Sequence, residues 1–333
     1  VSDYPKAVAQ GWFPVATARE LGRQPLARQL MDRPIVVFRA TDGPRVFVDR
    51  CPHRNMPLSC GRVTGGEIVC PYHGWRFGGD GRCSLTPGAE APANHAAQPL
   101  PTVERAGLIW TTLARHGQED FPALPHPVGA PGFDTFLWPV PASRAALLDA
   151  VENFLDPAHP HFLHQGIVRS GDVRHPVSVT VRAKGDRAEA IYAENARASG
   201  FMPRLLEGFR TASIGRVIAP AIGQIAFEGP AGLRLAITVF FTPEASDRVR
   251  PFAHFATPKG RAPALLKEAL LRAFNAPVLA QDRAALSLQA ENLARFGAPK
   301  YAIGPLDFLR PAIQALADGE ILDQPERTVQ VRL

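Results

Sequence analysis

Short runs of β-branched and aromatic residues, separated by turns rich in glycine, proline and aspartate, fill the first third of the chain. Residues 35–39 and 46–48 flank the turn Thr41-Asp42-Gly43-Pro44. Residues 67–70 and 75–77 lie between the turns Thr64-Gly65-Gly66 and Gly78-Gly79-Asp80-Gly81, and 108–113 form a further run. Many short strands at even spacing predict a small antiparallel sandwich or barrel. A stretch dense in proline and glycine, 117–141, interrupts the pattern. It places a domain boundary near residue 135, giving units 1–135 and 136–333, with His126 read as a surface residue of the join.

The remainder is of mixed type. Residues 142–156 have helical periodicity, with Leu147, Leu148, Val151, Phe154 and Leu155 on one face. Six β-type runs follow, at 177–182, 188–192, 215–218, 224–228, 233–242 and 252–257. A helical stretch, 261–295, is expected to be interrupted at Pro277. This predicts an α+β unit, an antiparallel sheet packed on a long C-terminal helix, with a substrate cavity between them. Phe201, Met202, Leu205, Leu206, Phe240 and Phe255 are candidates to line it, although each taken singly is better read as core.

Composition narrows the class. A chain of 333 residues with 46% hydrophobic and 20% charged residues suits two globular domains. The net charge of +6 is scattered, without a basic run interleaved with aromatics, so nucleic acid is not the expected partner. Its plain reading is a solvated surface, its sharper one a face that docks an acidic electron carrier. No apolar run approaches the roughly 20 residues of a membrane helix, and no signal peptide is evident. A cytoplasmic protein that does not enter membranes is therefore expected. The chain starts at Val1 rather than Met, so leading residues are expected to be missing.

Two constellations carry chemistry. In the first, Cys51-Pro-His53 and Cys70-Pro-Tyr-His73 put two thiolates and two imidazoles at hairpin ends. Four such ligands hold either one tetrahedral zinc ion or a Rieske [2Fe–2S] cluster, with two cysteines on one iron and two histidines on the other. Zinc favours pairs two to four residues apart, which leans the spacing towards the cluster. Cys60 and Cys83 remain, read as free thiols rather than a disulfide. In the second constellation, His159 and His164 follow Asn153 and Asp156. Five residues of unbroken helix would point the two rings about 140° apart. Pro157 and Pro160 imply a break that lets them converge. His161, between them, is left as a neighbour of the site or a surface residue.

The flanking residues resolve the first constellation by resemblance. Cys51-Pro52-His53-Arg54, Met56-Pro57-Leu58-Ser59 and Cys70-Pro71-Tyr72-His73-Gly74-Trp75 resemble the Rieske signature of aromatic-ring-hydroxylating oxygenases. Asn153-x-x-Asp156-x-x-His159-x-x-x-x-His164 resembles the iron-binding helix of the same Rieske non-haem iron oxygenases. The single-subunit length is most similar to the group with vanillate and dicamba O-demethylases and ketosteroid hydroxylases.

The resemblance implies an all-β Rieske domain with Cys51, His53, Cys70 and His73 on the cluster, then a catalytic domain with mononuclear iron(II). Oxygen chemistry on iron(II) favours two histidines with a carboxylate. Gln281-Asp282-Arg283 resembles the acidic position of the family's closing helix, so Asp282 joins His159 and His164; Glu268 and Glu291 are its rivals. Asn153 and Asp156 become the catalytic pair. In a homotrimer Asp156 would link His73 of the partner subunit to a ligand histidine of its own subunit. The implied activity is that of a terminal monooxygenase component that hydroxylates or oxidatively demethylates a small apolar, aromatic or ring-containing substrate with O₂. Ring cis-dihydroxylation, desaturation and plain Rieske electron transfer are the alternatives. Without a Gly-x-Gly-x-x-Gly fingerprint after a strand, electrons must come from a separate ferredoxin, flavin reductase or both.

Overall fold

The computed structural model describes residues 3–115, 117–168, 174–193, 210–260, 262–297 and 299–333. Two units emerge. The first is mainly Ala9–Leu124 joined by Thr242–Ser246, and the second is mainly Pro125–Phe241 and Asp247–Leu333. The changeover at Leu124 precedes the boundary expected near residue 135. The reason is that Phe133–Pro139 pairs along Arg248–Pro258 and so belongs to the second unit's sheet.

The first unit is built from three small antiparallel sheets. Phe13–Thr17, Leu108–Thr111 and Thr102–Arg105 form one. Leu26–Leu30, Arg33–Ala40, Gly43–Val48 and Pro99–Leu100 form the second. Arg62–Thr64, Glu67–Val69, Arg76–Phe77 and Cys83–Leu85 form the third. Val36, Phe38, Phe47, Leu58, Ile68 and Phe77 are fully buried in one cluster with Cys51 and Cys70. The two sulfurs are therefore anchored in the core while the loops beyond them reach outward. Cys60 and Cys83 are not bridged.

The second unit is a nine-stranded antiparallel sheet. Its order is Phe133–Pro139, Arg248–Pro258, Gly232–Ala245, Ile222–Gly229, Ala212–Ile218, Arg187–Ala193, Pro176–Gly185 and Leu322–Arg332, with Ser143–Arg144 pairing on Arg248–Pro258. The expected helix over 142–156 is shorter, Leu147–Leu155, because Ser143 and Arg144 are taken up by that pairing. This helix rests on the sheet through Phe154. A Cβ at Gly223 would lie 2.7 Å from the Phe154 ring, so glycine is what permits the close approach. A further helix, Arg310–Asp318, buries Ala312, Ile313, Leu316 and Ala317 and ends at Gly319 in the left-handed conformation.

The long C-terminal helix is continuous from Ala264 to Phe296, which corrects the interruption expected at Pro277. Proline lacks the N–H that would reach the Ala273 carbonyl and crowds that turn. The hydrogen bonds of the turns on either side outlast that single loss. Among the described residues no helix is long and apolar enough to cross a membrane.

Candidate metal centres

The two cysteine loops of the first unit share one geometry that their spacing disguises. The Cys51 N–H donates to the Met56 carbonyl at 2.8 Å and the Asn55 N–H to the Cys51 carbonyl at 3.0 Å. The Cys70 N–H likewise donates to the Trp75 carbonyl at 2.9 Å and the Gly74 N–H to the Cys70 carbonyl at 3.1 Å. In both, proline follows the cysteine and the fifth residue is left-handed, Asn55 at φ 62° and Gly74 at φ 71°. Asparagine and glycine are the residues that tolerate that conformation most readily. The Arg50 Nε–H donates to Asn55 Oδ1 at 2.6 Å and holds the first loop in shape.

His53 occupies the third place of its loop and His73 the fourth, yet their rings come within 4.6 Å. Trp75 stacks on His53 at 4.4 Å and 4°, and Tyr72 on His73 at 3.9 Å. His53 Nδ1 is buried without a hydrogen-bond partner. Burial pushes the Cys51 thiol up to about 11, with Cys70 beside it adding to the rise. Two buried sulfurs and an imidazole nitrogen without a partner make a donor set suited to metal. Positively charged metal, which deprotonates thiols outright, satisfies all of them.

In the second unit, three residues have ligand atoms within 4.8 Å of one another: His159, His164 and Asp282. Among the described residues no other His, Cys, Asp or Glu group is this tight. The cysteine–histidine set is not among the groups this tight, and two thiolates with two imidazoles match the ligand set of a Rieske cluster.

The expected helix break is present. The helix stops at Leu155, Asp156 turns extended at ψ 122°, and a one-turn 3₁₀ segment, His159–His161, carries the chain on to His164. The two rings end 5.1 Å apart at 80°. Asp156 caps the break by accepting the Ala158 N–H at 2.7 Å and the His159 N–H at 3.3 Å. From the long helix Asp282 puts Oδ1 3.0 Å from His164 Nε2 and 3.5 Å from His159 Nε2. Despite that proximity, neither His164 Nε2 nor Asp282 Oδ1 makes a hydrogen bond, and both are buried. Ligand atoms about 2.1 Å from one ion on adjacent octahedral corners sit about 3.0 Å apart. The three residues therefore fit a mononuclear iron.

Burial pushes the His159 ring down, but the carboxylates of Asp156 and Asp282 outweigh it and raise the ring to about 9. Burial likewise pushes Asp282 up, and the two imidazoles bring it below the ordinary carboxylate range. Neither of its rivals is in the converging group: Glu268 is tied to Arg272 at 2.8 Å, and Glu291 is exposed. His161 is half-buried and outside the converging group, as is Asn153 on the preceding helix. Phe240 and Phe255 are buried in the core, while Phe201, Met202, Leu205 and Leu206 lie outside the described residues. A shallow cleft beside Asp156 is lined by Glu152, Tyr192, Phe308 and Arg310, among others, and by none of the three converging residues.

The sequence did not reveal two contacts. Gln281 Oε1 lies 2.8 Å from His164 Nδ1. Asp149, on the inner face of the motif helix, binds the Arg310 guanidinium at 3.1 Å and accepts the Tyr301 hydroxyl at 2.8 Å. Local sequence gave no signal, because Asp149 lies on the side of the helix opposite Leu147, Val151 and Leu155, beside Glu152 and Asn153, where an acidic residue reads as solvated.

Known proteins share both units. Residues 11–104 match the Rieske [2Fe-2S] domain family, and 144–304 match the vanillate O-demethylase oxygenase C-terminal domain family. The oxygenase component of dicamba O-demethylase from Stenotrophomonas maltophilia is 33% identical over 47% of this chain and 48% of its own length. Chlorophyllide a oxygenase from Chlamydomonas reinhardtii is 36% identical over 48% of this chain and 25% of its own. The chain thus spans between a quarter and about half of these curated relatives. A crystal structure of dicamba monooxygenase bound to dicamba superposes with a TM-score of 0.79, covering 93% of this chain and 96% of that one at 22% identity, which is a likeness of fold.

Proposed function

Because the chain belongs to the Rieske non-haem iron oxygenases, with a Rieske [2Fe–2S] domain ahead of an oxygenase domain of the vanillate O-demethylase type, we propose that it is the terminal oxygenase component of a monooxygenase system. Its substrate is a small apolar molecule, aromatic or ring-containing, which it hydroxylates or oxidatively demethylates with O₂. The observation that carries this reading is the meeting of His159, His164 and Asp282 with buried, unpartnered ligand atoms. A plain electron carrier would have no use for that group.

In this reading Cys51, His53, Cys70 and His73 hold the cluster and the other three residues hold iron(II). The cluster supplies electrons singly, and the iron supplies a site for dioxygen reduction on the face its protein ligands leave open. Asp156 pins the loop bearing His159 through two N–H bonds and keeps a carboxylate oxygen 3.6 Å from His159 Nδ1. With Asp156 on that edge, the ring's other nitrogen is left facing Asp282 Oδ1 at 3.5 Å. The Asp156 side chain is 31% exposed, leaving it open to a partner. A homotrimer in which Asp156 meets His73 of the partner subunit accords with that exposure, and Asn153 acts alongside it. Hydroxylation of a methyl carbon on oxygen or nitrogen leaves a hemiacetal or hemiaminal, which collapses to release formaldehyde. Electrons come from a ferredoxin, a flavin reductase or both.

Reconstitution with a ferredoxin, its reductase and a panel of methoxy- and N-methyl-substituted ring compounds tests the reading. Substrate-dependent O₂ uptake with formaldehyde in step is expected. Uptake indifferent to every compound, with no oxidised product, would refute it.

Metal loading has a pH signature of its own. The metal-free His159 ring holds its proton up to about pH 9, and a ligand must be deprotonated. Iron(II) binding at pH 7 should therefore release about one proton from His159, and affinity should rise about tenfold per pH unit until the curve flattens near pH 9. Anaerobic calorimetry in two buffers of different ionisation enthalpy reads the proton directly. Identical heats in both buffers would contradict it.

A further inference from the structure

We infer that Gln281 is a positioning residue that fixes the tautomer of His164 and sets the strength of the mononuclear metal site. The inference rests on the ligand assignment just proposed. His164 is 1% exposed, so bulk solvent does not reach its ring. Its Nε2 faces Asp282 Oδ1 at 3.0 Å with no hydrogen bond, while Nδ1 meets Gln281 Oε1 at 2.8 Å. A nitrogen that gives its lone pair to a metal cannot carry a proton, so the ring proton of neutral His164 belongs on Nδ1. The amide must then present its oxygen there. Turned over, its NH₂ would donate to Nδ1 and leave the proton on Nε2, where the metal is expected.

The two histidines are supported by different chemistry. His159 has the Asp156 carboxylate 3.6 Å from Nδ1, too long for a hydrogen bond, whereas His164 has a neutral amide at 2.8 Å. A carboxylate acceptor at the shorter distance would pull the Nδ1 proton and make His164 a stronger, more anionic donor. The amide fixes the ring without adding charge to a site that already holds Asp282. Gln281 and Asp282 are adjacent on the long helix, so one turn delivers both the carboxylate ligand and the support for the imidazole facing it. Pro277, one turn earlier, does not break that helix.

The test is anaerobic calorimetric titration with cobalt(II) of protein that keeps its cluster but has been stripped of mononuclear metal. Gln281→Leu, which keeps most of the volume and loses the acceptor, should bind cobalt(II) about 10- to 100-fold more weakly. Gln281→Glu, which restores an acceptor, should bind at least as tightly as wild type, a rescue that bulk packing would not give. In ¹⁵N-histidine spectra of the zinc-loaded wild type, the His164 proton should sit on Nδ1, exchange-protected. Leucine binding within about twofold of wild type, or a glutamate variant as weak as the leucine one, would overturn the inference. The ligand reading fails separately: Asp282→Ala would then bind cobalt(II) as wild type does.

Discussion

Replacing His159 with alanine should leave the visible and electron paramagnetic resonance spectra of the cluster intact and cut turnover by on the order of 10³-fold, since the metal contribution is worth several kcal/mol. The expectation follows from where the groups sit. His159 is carried by the 3₁₀ turn of the second unit, and the cysteine loops lie in the first. Its ring is one of three converging side chains, and as ligands two would not hold iron(II) as three do. The variant is also expected to keep its fold, because the His159 side chain is 19% exposed and the break is capped by backbone donors to Asp156, which remain. Substrate-dependent O₂ uptake and cluster absorbance, measured on one preparation, check this. Full activity, or loss of the cluster signal with it, would show that His159 is not an iron ligand.

Arg310→Met should destabilise the second unit by about 3–5 kcal/mol, the usual cost of removing one member of a buried ion pair. The Asp149 side chain is 4% exposed and that of Arg310 8%, at 3.1 Å. The guanidinium also binds Glu152 at 2.7 Å and lies over the Tyr301 ring at 4.3 Å. Burial pushes the Glu152 carboxyl up, and the charge of Arg310 works against that rise. Without the arginine, Asp149 keeps only the Tyr301 hydroxyl, and the motif helix loses its tie to Arg310–Asp318. Pairing the change with Asp149→Leu should recover most of the loss, since no lone buried charge is left at that position. Urea denaturation followed by circular dichroism reads both variants. A single-variant loss under about 1 kcal/mol would mean that the network is solvated.

The chemistry was legible where ligands are close in sequence. Cysteine and histidine pairs in loops announce themselves, and Pro157 with Pro160 gave the turn that brings His159 and His164 together. Asp282 needed family resemblance, because one carboxylate among many on a helix has no periodic mark. The Asp149–Arg310 pair joins residues 161 apart, and nothing local reports such a partner. Leu322–Arg332 escaped notice because it is an edge strand whose first half is exposed and holds Pro325, leaving only the short alternation of Val329 and Val331 at its end. Pro277 misled in the opposite direction, since a local breaker was overridden by the length of helix around it. The likeness of the two cysteine loops lay in backbone hydrogen bonds and in the left-handed Asn55 and Gly74, whereas their histidine spacings differ.

In the proposed function one chain holds an iron–sulfur cluster and, separately, a lone iron on His159, His164 and Asp282. Iron and acid-labile sulfide analysis after anaerobic ferrous loading, on wild type and Asp282→Ala in parallel, tests it most directly. About three irons to two sulfides per chain are expected in the wild type, and about two to two in the variant. Zinc in place of iron, a wild type that never exceeds the cluster's two irons, or a third iron that survives in the variant would contradict it.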